Sequence, residues 1–405
     1  MKITLKNTLP ATIYSLANCI PAPPILGMNI LALFSKKTYT NKMSLLCVAI
    51  YLAISLPFLA IHIKNGVDTE TYIKSFAGSI FILFTSVSGA FIIASKPNLG
   101  FQIRLASSFI FIAFIISSLA LLATGSEKFA GGWYEQYYTS GTTIIRYGGY
   151  MYEASHLCLI ITPLFFYLLS NLSIKKTNKY YLLMLLPPLI ATYSIGFFAT
   201  LIITIIIASV ARIKSRKTIR RLSITTLLLM IFFTAAYTSS DRIKTRVDNI
   251  SSFTDSSAKG RSSDSYLLAT QIAAQKSLIF GAGIGQIKII GNPIIMDYYK
   301  YSEDLVETVR IPSSAAEMLA SYGVAGLTIK ILVLITLYFK LKVHRNTYSN
   351  YLYIFFFIYQ FYGSFMLSTI EIFCFALAIF IARTDSKSSN IINTPHRNIL
   401  LANQL

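Results

Sequence analysis

The 405-residue chain is 54% hydrophobic and only 13% charged, roughly half the charged share of an ordinary soluble domain. No soluble core could hide this much Ile, Leu and Phe, which excludes a soluble globular protein and makes lipid the expected solvent. The net charge of +20 is spread along the chain with no compact basic domain. It therefore points to basic cytoplasmic loops of a membrane protein and not to nucleic acid.

The first apolar run, 8–35, follows Lys2 and Lys6 and has no clear small-residue cleavage site, so it is expected to stay as membrane helix. It is too long for one crossing and short for two, and Pro21-Ala22-Pro23-Pro24 breaks its centre. The runs 43–63, 75–95, 105–124, 150–172 and 222–240 are each long enough to cross a bilayer, which takes about 20 residues. The run 180–211 repeats the first pattern: basic residues at both ends (Lys175, Lys176 and Lys179; Arg212 and Lys214) and a break at Ser194-Ile195-Gly196. A further span runs from Ser314 to Lys340, and the last run, 351–383, lies between Arg345 and Arg383 and breaks at Gly363-Ser364. A single crossing of any of the three long runs would put one basic cluster on the wrong face, so each is expected to be a hairpin of two short helices.

The expected fold is therefore an all-α integral membrane protein of 12 spans, with short broken helix pairs and one large periplasmic loop between spans 9 and 10. Residues 1–240 hold the first nine spans, 241–312 the loop, 313–383 the last three spans and 384–405 a cytoplasmic tail, both termini lying inside. The short outer loops 64–74 and 125–149 then carry only Lys64, Lys74, Lys128 and Arg146, whereas the inner segments hold most of the Lys and Arg. Cys19, Cys47, Cys158 and Cys374 all lie in apolar runs with neither disulfide nor metal-ligand spacing, and read as core residues.

Four places could carry chemistry. The stretch 131–156 gathers Arg146, Glu153 and His156 among many aromatics, including Tyr147, Tyr150 and Tyr152. Glu153 and His156 are three apart and share a helix face. Aromatic faces suit sugars and arginine suits phosphate, but an ordinary interfacial aromatic belt is the alternative reading. In the large loop, Arg261 and Arg310, with Lys259 and Arg242, could ring a diphosphate, or could simply balance the acidic residues of a solvated loop. Within the membrane, Lys330, Glu371 and Glu317 are costly charges, read first as a structural Lys330–Glu371 pair. The Gly281-Ala-Gly283-Ile-Gly285 run lacks the spacing and the βαβ context of a nucleotide site and reads as a backbone turn. No metal-binding or ATP-binding pattern is present, so no metal and no cofactor is expected and any reaction must use an activated substrate.

The chain resembles the bacterial O-antigen polymerases (Wzy type) of the O-antigen polymerase/ligase superfamily. Arg146-Tyr-Gly-Gly-Tyr-Met-Tyr-Glu153-Ala-Ser155-His156, with Pro163 beyond, is similar to that family's Arg-x-x-Gly-x-x-x-Glu-Pro-Ser pattern. Thr192-Tyr-Ser194-Ile-Gly196 resembles its break between two short helices. Gly260-Arg261-Ser262 with the later glycine run, and Ser314-Ala-Ala-Glu317 through Gly323 and Gly326, resemble its large periplasmic loop and the helix that follows. Together these cover roughly residues 140–330. Ala154 stands where the family often has Pro, and Pro312-Ser313 stands where the ligase branch has its His-Asn-type pair.

The resemblance implies a metal-independent glycosyltransferase of lipopolysaccharide biosynthesis in the cell inner membrane. A glycan on undecaprenyl diphosphate would be transferred to a second lipid-linked oligosaccharide repeat unit at the periplasmic face. Arg146, Arg261 and Arg310 would bind the diphosphate, Glu153 or His156 would take the acceptor proton, and Tyr147, Tyr150 and Tyr152 would position sugars. A chain-length regulator protein is the further partner that the resemblance suggests, beside membrane lipid. The competing readings are a lipid-linked oligosaccharide flippase and an O-antigen ligase-like transferase.

Overall fold

The computed structural model of the chain describes residues 42–95, 98–127, 131–137, 143–149, 151, 153–172, 176–210, 255–300 and 310–392, with a few isolated positions between 238 and 252. The expected hairpin 8–35, the span 222–240, Tyr150, Tyr152 and most of the tail lie outside the described residues.

Three long helices come first: α1 (Lys42–Lys64), α2 (Thr69–Ala94) and α3 (Leu99–Thr124). Each is long and apolar enough to cross a membrane, since 23 residues already make about 35 Å at 1.5 Å per residue. Their burial pattern is inverted relative to a soluble helix. Leu45, Leu46 and Ile50 on α1, and Ile112, Ile116, Leu119 and Leu122 on α3, face outward, while α2 buries Ser79, Thr85, Ser86 and Ser88. Small and hydroxylated residues inside with large apolar residues outside is the arrangement that lipid, and not water, favours. Asp68 caps α2 by accepting the Thr71 N–H at 2.8 Å, and Gly125 ends α3 in the left-handed conformation.

The stretch after α3 departs from the all-α expectation. Strands β1 (Trp133–Tyr137) and β2 (Thr143–Tyr147) form an antiparallel hairpin that pairs Trp133 with Tyr147 and Tyr134 with Arg146. Aromatic and β-branched residues fill both strands, which suits a pleated ladder better than a helix. The following helix, α4 (Ala154–Ser170), consequently starts later than the expected 150, with Glu153 extended ahead of its first turn.

Two of the three long runs do split as expected. Run 180–211 forms α5 (Asn178–Ala191) and α6 (Ile195–Val210), separated by Thr192-Tyr193-Ser194 with Tyr193 at φ +48°. The last run forms α11 (Thr347–Tyr359) and α12 (Thr369–Ile392), separated by residues 360–368. The two pairs pack against each other: Phe197, Leu201, Leu352, Phe355 and Phe356 share one core with Leu157, Ile161 and Phe166 of α4. Cys158 and Cys374 are buried in this core, as their apolar setting implied.

Residues 255–299 are folded onto the bundle as α7 (Ser256–Arg261), α8 (Ser263–Ala274), a short 3-10 turn at Gln286–Lys288 and α9 (Gly291–Tyr299). Leu268, Ile272, Ile287 and Ile295 bury themselves against Leu319 and Ala320 of α10 (Ser314–Lys340). Backbone bonds reinforce this contact: the Ala282 and Gly283 N–H groups donate to Ala320 and Ser321 carbonyls, and the Val324 and Ala325 N–H groups donate to Leu278 and Ile279 carbonyls, all at 2.9–3.1 Å. So close an approach needs glycine on both sides. Gly323 has φ +67°, and a Cβ there would lie 2.2 Å from the Ile279 carbonyl oxygen; one on Gly281 would lie 2.5 Å from that of Ser321. The expectation that the glycine run is a backbone turn is met, and its partner is the Gly323 kink.

That kink breaks the helix expected from Ser314 to Lys340, whose length and composition are those of a membrane span. Lys330 Nζ lies 2.8 Å from Ser314 Oγ, whereas a straight helix would hold residues 16 apart at about 24 Å. The two arms of α10 therefore fold back beside each other at Gly323. The same segment also grips the α1–α2 turn. His62 Nε2 meets the Phe280 carbonyl at 2.7 Å, Lys276 Nζ donates to the Asn65 and Gly66 carbonyls, and Gln286 exchanges two bonds with the Asp68 backbone.

Candidate functional site

Arg261 closes α7, and Asp255 holds that helix by accepting the Ala258 N–H at 2.7 Å. The Arg261 guanidinium reaches across 108 residues of sequence to Glu153, with Nη2 at 3.2 Å from Oε1 and 3.1 Å from Oε2. Glu153 occupies the N-cap position of α4 but makes no side-chain capping bond. Its carboxylate is held instead by Arg261 and by the Ser155 hydroxyl, which donates to Oε2 at 2.6 Å. Burial alone would raise the Glu153 carboxyl; the charge of Arg261 and the Ser155 bond outweigh it and hold the group below the ordinary carboxylate range. The pair stays partly open to solvent, at 28% for Arg261 and 41% for Glu153.

Beside this pair lies the second arginine. Arg310 spreads its guanidinium over the Phe365 ring, 4.2 Å from the centroid, and is 48% exposed. His156, in the first turn of α4, meets the same ring edge-on at 6.2 Å. Phe365 thus touches both an imidazole and a guanidinium. It is carried by the break between α11 and α12, which the start of α10 holds in place. Ser314 and Ala315 N–H groups donate to the Gly363 and Gln360 carbonyls, and the Ser313 and Tyr266 hydroxyls both donate to the Phe361 carbonyl. Glu317 completes the wall: Oε1 lies 3.6 Å from Arg310 Nη2, and Oε2 accepts the Met366 N–H at 2.7 Å.

The remaining expected site residues divide. Arg146 sits at the same end of the bundle, because Tyr134, its partner in the hairpin ladder, accepts the Ala154 N–H on its hydroxyl at 2.6 Å. Its own side chain is turned inward. It is 7% exposed and donates from Nε to the Thr192 carbonyl at 2.7 Å, tying the hairpin to the α5–α6 break. A cation against that helix C-terminus is favourable, and this anchoring separates Arg146 from the two half-open arginines. Tyr147 is buried with its ring 5.3 Å from Trp133 and 5.0 Å from Phe114, a packing role that leaves it no open face for a sugar. Tyr150 and Tyr152 lie outside the described residues.

The membrane charges behave as the simpler expectation had it. Lys330 Nζ lies 3.2 Å from Glu371 Oε1, which also accepts the Ser314 hydroxyl at 3.1 Å. A Ser–Lys contact of 2.8 Å resembles a nucleophile and its base. Here Glu371 Oε1 accepts from both Lys330 Nζ and the Ser314 hydroxyl, so the trio is a structural clamp on the folded-back arms of α10. Among the described residues no group of three or more His, Cys, Asp and Glu gathers with metal-binding spacing.

Sequence reasoning gave no role to Phe365 or to Ser155 and foresaw neither contact of Glu317. Ser155 was in plain view two residues after Glu153, but Phe365 lies among many phenylalanines and carries no local signal. Chemically, the wall offers two guanidinium groups for an anion, beside a carboxylate and an imidazole that can handle a proton. Compared with known proteins, the chain matches no family model and no curated protein in sequence.

Proposed function

We propose that the chain is an O-antigen polymerase of the Wzy type, or a polymerase of a related surface polysaccharide. It would lie in the bacterial inner membrane with 12 spans, both termini in the cytoplasm and residues 241–312 on the periplasmic face. The carrying observation is the Arg261–Glu153 contact at 3.1 Å. It brings the two sequence stretches with the family's arginine and carboxylate patterns into one wall with Arg310 and His156.

The reaction follows from that wall. Undecaprenyl diphosphate linked to a growing glycan is held by Arg261 and Arg310. The acceptor hydroxyl of a second lipid-linked unit attacks the anomeric carbon, and the bond from that carbon to the diphosphate oxygen breaks. The lipid diphosphate leaves with the bonding electrons, and its growing charge is met by the two guanidinium groups. The acceptor proton goes to Glu153 or His156. A diphosphate that draws Arg261 away from Glu153 also removes the charge that suppresses that carboxylate's basicity. Donor binding would thereby switch the base on.

Purified protein in lipid vesicles supplied with lipid-linked repeat units is the direct test. Arg261→Ala should leave single units unextended, and long chains from that variant would remove Arg261 from the site. Labelling of a cysteine at Ser256 from the periplasmic side tests the sidedness, and labelling only from the cytoplasm would sink the transferase reading.

A further inference from the structure

We infer that Glu317 is a positioning residue that sets Arg310 and the 365–366 turn as one unit, so that guanidinium and imidazole are held against one fixed ring. This rests on the transferase reading above. Glu317 lies in the first turn of α10 and is buried to 9% exposure. A buried carboxylate is expensive unless charge and hydrogen bonds compensate it. Helix capping does not need it: Ser313 already accepts the Ala316 N–H at 3.3 Å. Its two oxygens instead reach in different directions, one to Arg310 Nη2 at 3.6 Å and one to Met366 N–H at 2.7 Å.

The two distances differ in kind. At 2.7 Å the Met366 contact is a charge-assisted hydrogen bond that fixes the backbone beside Phe365. At 3.6 Å the Arg310 contact exceeds hydrogen-bond range but is a close ion pair. Charge thus guides the guanidinium over the Phe365 ring. His156 lies on that same ring, so one carboxylate sets the spacing between the group that meets the leaving diphosphate and a group that can take a proton. Nothing in the spacing of Glu317 along the sequence shows this, because Met366 is 49 residues away.

A double-mutant cycle tests it. The full chain is reconstituted in vesicles, and turnover of lipid-linked units and binding of undecaprenyl diphosphate are measured for wild type, Glu317→Gln, Arg310→Ala and the double variant. Glu317→Gln keeps an acceptor for Met366 and loses the charge. It should lower kcat by about tenfold to a hundredfold while leaving the acceptor KM near wild type. The double variant should be no worse than Arg310→Ala alone, because Glu317 acts through Arg310. Losses that multiply, or a Glu317→Gln rate equal to wild type, would overturn the inference and leave the transferase reading standing. Should Glu317→Gln fail to accumulate, Glu317→Asp keeps the charge one methylene back and enters the same cycle, with an intermediate rate expected and a wild-type rate overturning the idea. A wild-type chain that neither extends units nor binds undecaprenyl diphosphate overturns the transferase reading and this inference with it.

Discussion

The molecule holds two ionic clusters a short distance apart along α10, and they are built to opposite ends. Lys330, Ser314 and Glu371 form a closed trio, with Glu371 only 3% exposed and its Oε1 shared by both partners. Arg261–Glu153 and Arg310–Glu317 are open, each with a guanidinium between about one quarter and one half exposed. The difference teaches that a charge at membrane depth is not by itself a site. In the closed trio the attraction is spent on holding two arms of one helix together. In the open pairs the cations are oriented by carboxylates yet still face outward, where an anion can compete for them.

The closed trio should be the costlier to break. Lys330→Ala strands the Glu371 carboxylate in an apolar interior and should cost about 3–5 kcal/mol, read as a large fall in melting temperature or in folded yield from detergent. Replacing both partners with Met and Leu should recover most of that loss and keep chain extension. If the double replacement folds but is inactive, the trio belongs to the site and the contrast with the open pairs is wrong.

Next in size is Gly323→Ala. Its φ of +67° and the Ile279 carbonyl 2.2 Å from the added Cβ leave the side chain no room, and the neighbour is backbone that cannot swing aside. A loss of about 2–3 kcal/mol is expected, with release of the 278–283 segment measurable as faster amide exchange at Ala282 and Gly283. Arg261→Ala should contrast with both. Removal of a partly exposed pair should shift stability by no more than about 1 kcal/mol, while polymer length collapses. A variant that loses stability as Lys330→Ala does would place Arg261 among the structural charges.

How much of this was legible in the sequence depended on whether the signal was local. The split of runs 180–211 and 351–383 could be read because basic residues at both ends and Ser, Gly breaks at the centre constrain the chain within a few turns. The Lys330–Glu371 pair could be read because lipid leaves such charges few alternatives. The fold-back at Gly323 could not: a glycine in an apolar helix looks the same whether it packs, bends or merely occupies space. Only the 278–283 backbone arriving from elsewhere decides. Arg261 and Arg310 were singled out as loop cations, but which carboxylate each would meet is set by tertiary contacts. Arg146 showed the same limit from the other side, since nothing in its neighbours announces that its guanidinium turns inward to the Thr192 carbonyl.

The smallest effect, on acid, separates the roles within the open pair. Glu153 is held below the ordinary carboxylate range in the folded protein. A group with a depressed folded pKa contributes stability that is fully present above its unfolded value, about 4.3, and is lost as pH falls through the folded one. The part of the melting-temperature difference between wild type and Glu153→Gln that comes from the carboxylate itself should therefore be lost only as pH falls below about 4.3. Turnover adds a sharper reading. The acid limb of kcat/KM reports the free enzyme, in which Arg261 suppresses the carboxylate; the limb of kcat reports the donor complex. If diphosphate draws Arg261 away, the kcat limb must lie at higher pH than the kcat/KM limb, and Glu153→Gln must abolish that separation. Coincident limbs would mean that Glu153 stays paired throughout. The proton would then go to His156, and Glu153 would serve to orient Arg261.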